Sequence, residues 1–104
     1  MITIQGLEDY CLRDIQTIVL SHVDHLRKSF YFEDLDFSIK DIVPFGSRVT
    51  GFSGKKSDLD IKIEYVGNAR EDDLLNALND KKTSLKIENI RVDFYPERIQ
   101  VKSI

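Results

Sequence analysis

Phe45-Gly46-Ser47-Arg48 and, with ten residues between the serine and the first aspartate, Asp58-Leu59-Asp60-Ile61 are the two halves of the stretch on which the reading of this chain turns. The loop between them contains Gly51, Gly54, Lys55, Lys56 and Ser57. From Asp58 to Val66 apolar and polar residues alternate with period two, so Leu59, Ile61 and Ile63 line one face of a strand while Asp58, Asp60, Lys62 and Glu64 line the other. Both aspartates therefore project from the same side. Phe37 to Phe45 alternates in the same way and then turns apolar, as a strand does when its end enters the core. Pro44, which has no N–H for a ladder, marks a sheet edge or that strand's end. Ser47 can cap a short helical turn through Arg48, Val49 and Thr50, with Gly51 placed to end it.

Upstream, Leu7, Cys11, Ile15, Ile18, Val19, His22, Leu26 and Phe30 recur every three or four residues and predict one long amphipathic helix lying across a sheet. Cys11 falls on that stripe and reads as a small core residue. His22 and His25 find no third metal ligand at helical spacing, so a partly buried histidine pair is the preferred reading. Tyr31 to Asp36 is a connector. Downstream, Gly67-Asn68 breaks the central strand, and Arg70 to Asn79 carries Leu74, Leu75 and Leu78 at helix spacing behind the acids Glu71, Asp72 and Asp73. After a polar connector, Leu85 to Phe94 forms a strand system broken at Glu88-Asn89, in which Asp93 points opposite to Val92 and Phe94. Pro96 is expected to end it, leaving a short strand or tail to Ile104. The expected architecture is α/β (α+β), a small mixed sheet with helices on one face, in a single domain over 1–104.

Composition narrows the function. At 104 residues, 41% hydrophobic and 32% charged, the chain can bury one modest core. A formal charge of −3 argues against a dedicated nucleic-acid binder, which normally carries a basic face. One cysteine forms no internal disulfide, no apolar run reaches the ~18 residues of a membrane span, and the N-terminus has no signal-peptide pattern, so the expected setting is soluble and cytoplasmic. Oligomeric state is open, with Phe52, Ile99, Val101 and Ile104 as the apolar residues available to an interface.

Asp58, Asp60 and Asp93 meet on one face if their strands are neighbours. Like charges ~4–5 Å apart at an effective dielectric of ~20 repel by roughly 3–4 kcal/mol per pair, so such a cluster needs a cation or a raised pKa. Oxygen-only donors select magnesium or manganese. The Gly46-Ser47 turn offers the complement: glycine lets an anion approach the backbone, and the first amides after Ser47 face a phosphate.

The Gly-Ser turn, the spacer of about ten and the two acids around Leu59 resemble the signature of the DNA polymerase beta-like nucleotidyltransferase superfamily; Arg48, Gly51 and Ser57 are similar to its small stand-alone members, the minimal nucleotidyltransferases. Strand and helix order extends the likeness over 37–95. The resemblance implies that Asp58 and Asp60 bind two magnesium ions, that Asp93 is the third carboxylate, binding the catalytic metal and helping activate the acceptor hydroxyl, and that Gly46 and Ser47 hold a nucleoside triphosphate, with ATP the expected donor. It gives Arg48 one of two roles, steadying phosphates or bracing the loop, groups Ser57 with the nucleotide-binding residues, and gives Lys55 and Lys56 either charge near the leaving pyrophosphate or plain solvation. A single domain is expected, without an additional domain to grip the base or choose an acceptor. Such small members often work beside a separately encoded helical partner, as the antitoxin of a toxin–antitoxin pair. Two other readings stand beside the enzyme: a non-catalytic module that neutralises a partner by contact, and a structural domain with a solvated acidic face.

Overall fold

The computed structural model describes residues 3–29, 32–50 and 58–100, with the backbone alone at Thr50. In chain order the elements are α1 (Leu12–Arg27), β1 (Ser38–Phe45), α2 (Ser47–Thr50), β2 (Leu59–Val66), α3 (Glu71–Asn79), β3 (Lys86–Ile87) and β4 (Ile90–Arg98). The four strands form one open mixed sheet in the order β1-β2-β4-β3. β1 runs antiparallel to β2, β2 parallel to β4, and β4 antiparallel to β3. This is the expected small α/β arrangement.

Burial follows the alternation in sequence. Leu59, Ile61, Ile63 and Tyr65 of β2 are fully buried, as is Phe94 of β4, and they share one core with Ile15, Val19, Val23 and Leu26 of α1 and Leu74 and Leu78 of α3. Polar side chains join the helices to the sheet. Gln16 Nε2 of α1 donates to the Ile42 carbonyl at 3.0 Å, and Arg27 Nη2 donates to Phe37 O at 2.9 Å with its guanidinium 3.9 Å from the Phe37 ring centroid.

The first helix is shorter than the stripe suggested. Leu7 is buried, but residues ahead of Leu12 run through turns, with Leu7 N bonded to Ile4 O and Tyr10 N to Leu7 O. Asp14 Oδ2 accepts from Cys11 N at 3.1 Å, half of a capping box that starts the helix there. Cys11 is therefore an exposed N-cap residue, not a core residue. Phe30 lies outside the described residues. His22 Nε2 bonds the Thr83 carbonyl at 2.8 Å and its ring stacks on Phe94, 6.1 Å between centroids, while His25 is exposed. His22 is thus a partly buried structural residue.

Two corrections concern the strand ends. Phe45 does not enter the core; it is 40% exposed on the opposite face. Nor does Pro96 end β4, which continues to Arg98 with Pro96 opposite Ile63. Amides on alternate residues of β4 point away from β2: Val92 N bonds Leu85 O, Phe94 N bonds Asn79 Oδ1, and Arg98 N bonds Glu71 Oε2. Pro96 occupies that same parity, where a missing N–H costs no bond to β2. Glu88 and Asn89, both at positive φ, form the two-residue turn between β3 and β4, as the break there predicted.

Asn79, the last residue of α3, acts as a one-residue strand partner. Its Oδ1 accepts from Phe94 N and its Nδ2 donates to Phe94 O, both at 2.9 Å. Asn79→Ala should cost about 1–3 kcal/mol in urea unfolding by leaving both groups unanswered, with Asn79→Asp between it and the wild type. Partial burial lowers the His22 pKa below its ordinary value, against the raising effect of the Thr83 carbonyl. The neutral ring is thus favoured in the fold, so its stability contribution is full above about pH 6.5 and declines as pH falls below it. His22→Leu should flatten that part of the stability–pH curve relative to wild type.

Candidate active site

β2 and β4 are parallel neighbours, and Asp60 is the Cα partner of Asp93. Asp58 immediately precedes β2, two residues from Asp60 and on the same side by the strand alternation. The three carboxylates converge on the face of the sheet opposite the core, each partly buried. Asp93 registers the crowding: its carboxyl is held above the ordinary carboxylate range, first by burial, then by a hydrogen bond with Asp58 and the charge of Asp58, with Asp60 adding to the effect. Arg91, whose Nε stands 3.8 Å from Asp93 Oδ1, opposes it only in part. Among the described residues no three His, Cys, Asp or Glu side chains stand in a metal-binding constellation. Burial and the like charges nearby both disfavour the ionised form of Asp93.

The glycine of the turn is built against this cluster. β1 delivers Phe45 opposite Asp60, and Gly46 follows at φ +86. A Cβ on Gly46 would lie 2.5 Å from Asp60 Oδ2, so a side chain there is excluded both by the backbone and by the carboxylate. Val49 N bonds Gly46 O at 3.1 Å, and Ser47 opens α2. The glycine turn and the carboxylate cluster are thus in direct contact, though separated by a dozen residues in sequence.

Arg48 is 6% exposed and turned toward the N-terminal segment. Its Nη1 donates to Gln5 O at 2.7 Å while Gln5 N donates to Arg48 O at 2.9 Å. Of its two expected roles, this geometry is that of a brace behind the turn. Lys55, Lys56 and Ser57, with Gly51, Phe52 and Gly54, lie outside the described residues.

Two residues that the sequence reading did not assign to the site stand beside the acids. Phe45 and Tyr95 project from β1 and β4 with ring centroids 5.2 Å apart and planes at 67°. Burial, then the charges of Asp60 and Asp93, push the Tyr95 hydroxyl pKa up, and a hydrogen bond with Asp60 adds to the shift. Parity placed Tyr95 on the Asp93 face, the one signal in the sequence that could have found it.

The chain belongs to the Nucleotidyltransferase domain family, whose pattern matches residues 23–103, and the general activity of that family is nucleotidyl transfer. No curated protein and no solved structure matches the chain significantly. No helix among the described residues is long and apolar enough to cross a membrane.

Gly46→Ala should cost about 1–3 kcal/mol in urea unfolding, from the positive φ and the clash together. Adding Asp60→Ala should recover only the part due to the carboxylate, a difference that a double-mutant cycle reads directly.

Proposed function

We propose that the chain is a magnesium- or manganese-dependent enzyme that passes AMP from ATP to a hydroxyl of a protein or small-molecule acceptor. The observation that carries this reading is the Asp60–Asp93 pairing across parallel strands, with Asp58 two residues ahead on the same side and Gly46 against Asp60. Such a donor set suits a hard divalent cation, because it offers carboxylate oxygens alone. Asp58, Asp60 and Asp93 would hold it, and bound there it would neutralise charge on the phosphates and the leaving group.

The chain's own residues do the rest by positioning. Gly46 and Ser47 hold the triphosphate from below, and Arg48, tied to Gln5, keeps that turn rigid. The acceptor oxygen attacks the α-phosphorus in line; the bond from that phosphorus to the bridging oxygen breaks, and pyrophosphate leaves with the electron pair. Asp93 takes the proton of the hydroxyl. In this reading the acceptor is a separately encoded helical protein, and the chain is the antitoxin that adenylylates it.

Asp58→Asn with Asp60→Asn should abolish magnesium-dependent binding of ATP and lower transfer by at least about a hundredfold. In metal-free buffer the same variant should be no less stable than wild type, since it removes like-charge repulsion. Intact mass of the product of a neighbouring gene after incubation with MgATP reads the transfer as one added adenylyl group. Unchanged metal affinity in the variant defeats the proposal; full neutralisation of that partner by the variant replaces transfer with contact alone.

A further inference from the structure

Among the described residues three large apolar side chains are well exposed: Leu20, Phe45 and Tyr95. Leu20 lies on α1, but the other two stand together on the open face of the sheet, where the remaining side chains of β2 and its flank are Asp58, Asp60, Lys62 and Glu64. A face that serves only solvation has no need of two rings 40% and 44% exposed, each forgoing part of the free energy its burial would give. Edge-to-face packing fixes the rings against one another and leaves aromatic surface open to a ligand.

Register states where that surface lies. Phe45 is opposite Asp60 and directly precedes Gly46, while Tyr95 is opposite Lys62, two residues beyond the Asp60–Asp93 pair. Two strand residues span about 6.6 Å, a separation of the order of one sugar. On the far side of Tyr95 the Lys62–Glu97 ion pair, 3.5 Å from nitrogen to oxygen, bounds the corner. A ligand anionic at one end, flat and apolar at the other, and joined by a short neutral linker matches this sequence of turn, acids and rings.

The geometry points to the Phe45–Tyr95 corner as the stacking wall for the nucleobase of the nucleotide whose phosphates lie at Gly46-Ser47, an inference that rests on the nucleotidyl-transfer reading. Stacking uses a π-face that every base has, so the wall favours nucleotides over bare polyphosphate without choosing sharply among bases. The wall adjoins the acids, since Phe45 is opposite Asp60 and Tyr95 lies two residues beyond Asp93.

Titration calorimetry of MgATP and of magnesium tripolyphosphate against wild type, Tyr95→Ala, Tyr95→Phe and Phe45→Leu separates the alternatives, with urea midpoints confirming that each variant is folded. Tyr95→Ala should weaken MgATP about tenfold and shift tripolyphosphate by less than about twofold, while Tyr95→Phe stays within about twofold of wild type for both. Phe45→Leu should weaken MgATP selectively as well. Equal weakening of both ligands overturns the inference, because the ring then acts through Asp60; so does unchanged MgATP binding with a raised acceptor KM, which gives the wall to the acceptor. Wild type that binds neither ligand defeats the nucleotidyl-transfer reading itself, and the wall with it.

Discussion

Parallel pairing of β2 with β4 is the constraint on which the rest depends, because it sets Asp60 beside Asp93 while turning Ile61 and Phe94 into the core. A slip of one residue would send the acids inward and the apolar residues out, so the hydrophobic face that stabilises the sheet also fixes the register of the site. Burial of Leu59, Ile61 and Ile63 favours the fold, whereas convergence of the carboxylates opposes it. Pairs of charges cost up to a few kcal/mol, against roughly 1.5–3 kcal/mol from each large apolar side chain fully buried. The core wins, and the repulsion is kept as a raised proton affinity at Asp93.

β4 is held for this purpose from both sides. β2 takes one set of its amides, and the other set is answered by Leu85, by the Asn79 side chain at the end of α3 and by Glu71 at its start. Helix α3 thus contributes its ends as well as its apolar face. On the other flank, β1 delivers Phe45 and Gly46 to Asp60, and the Arg48–Gln5 bonds fasten the turn that follows to the N-terminal segment.

Much of this was legible in the sequence. Strict alternation from Asp58 to Val66 gave β2, its faces and the shared side of two acids, and the Gly-Ser turn at its spacing gave the family before any strand order was known. Adjacency of the third acid was not legible, since pairing of strands thirty residues apart is decided by the whole core and not by local pattern. Cys11 misled because helical periodicity continued into residues whose backbone is spoken for by turns and by Asp14. Pro96 misled for a different reason: proline excludes a strand only where its N–H is needed, and alternate amides of β4 face away from β2.

That outward row has a consequence for behaviour at high concentration. Beyond the two residues that pair with β3, the outer side of β4 would ordinarily offer its amides to any extended chain that drifts alongside, the first step of edge-to-edge aggregation. Here Leu85, Asn79 and Glu71 occupy those donors, and Pro96 supplies none. The side chain that holds the third acid in place therefore also withholds its strand from foreign pairing, and a chain that lost Asn79 would expose an adhesive edge along with a displaced carboxylate.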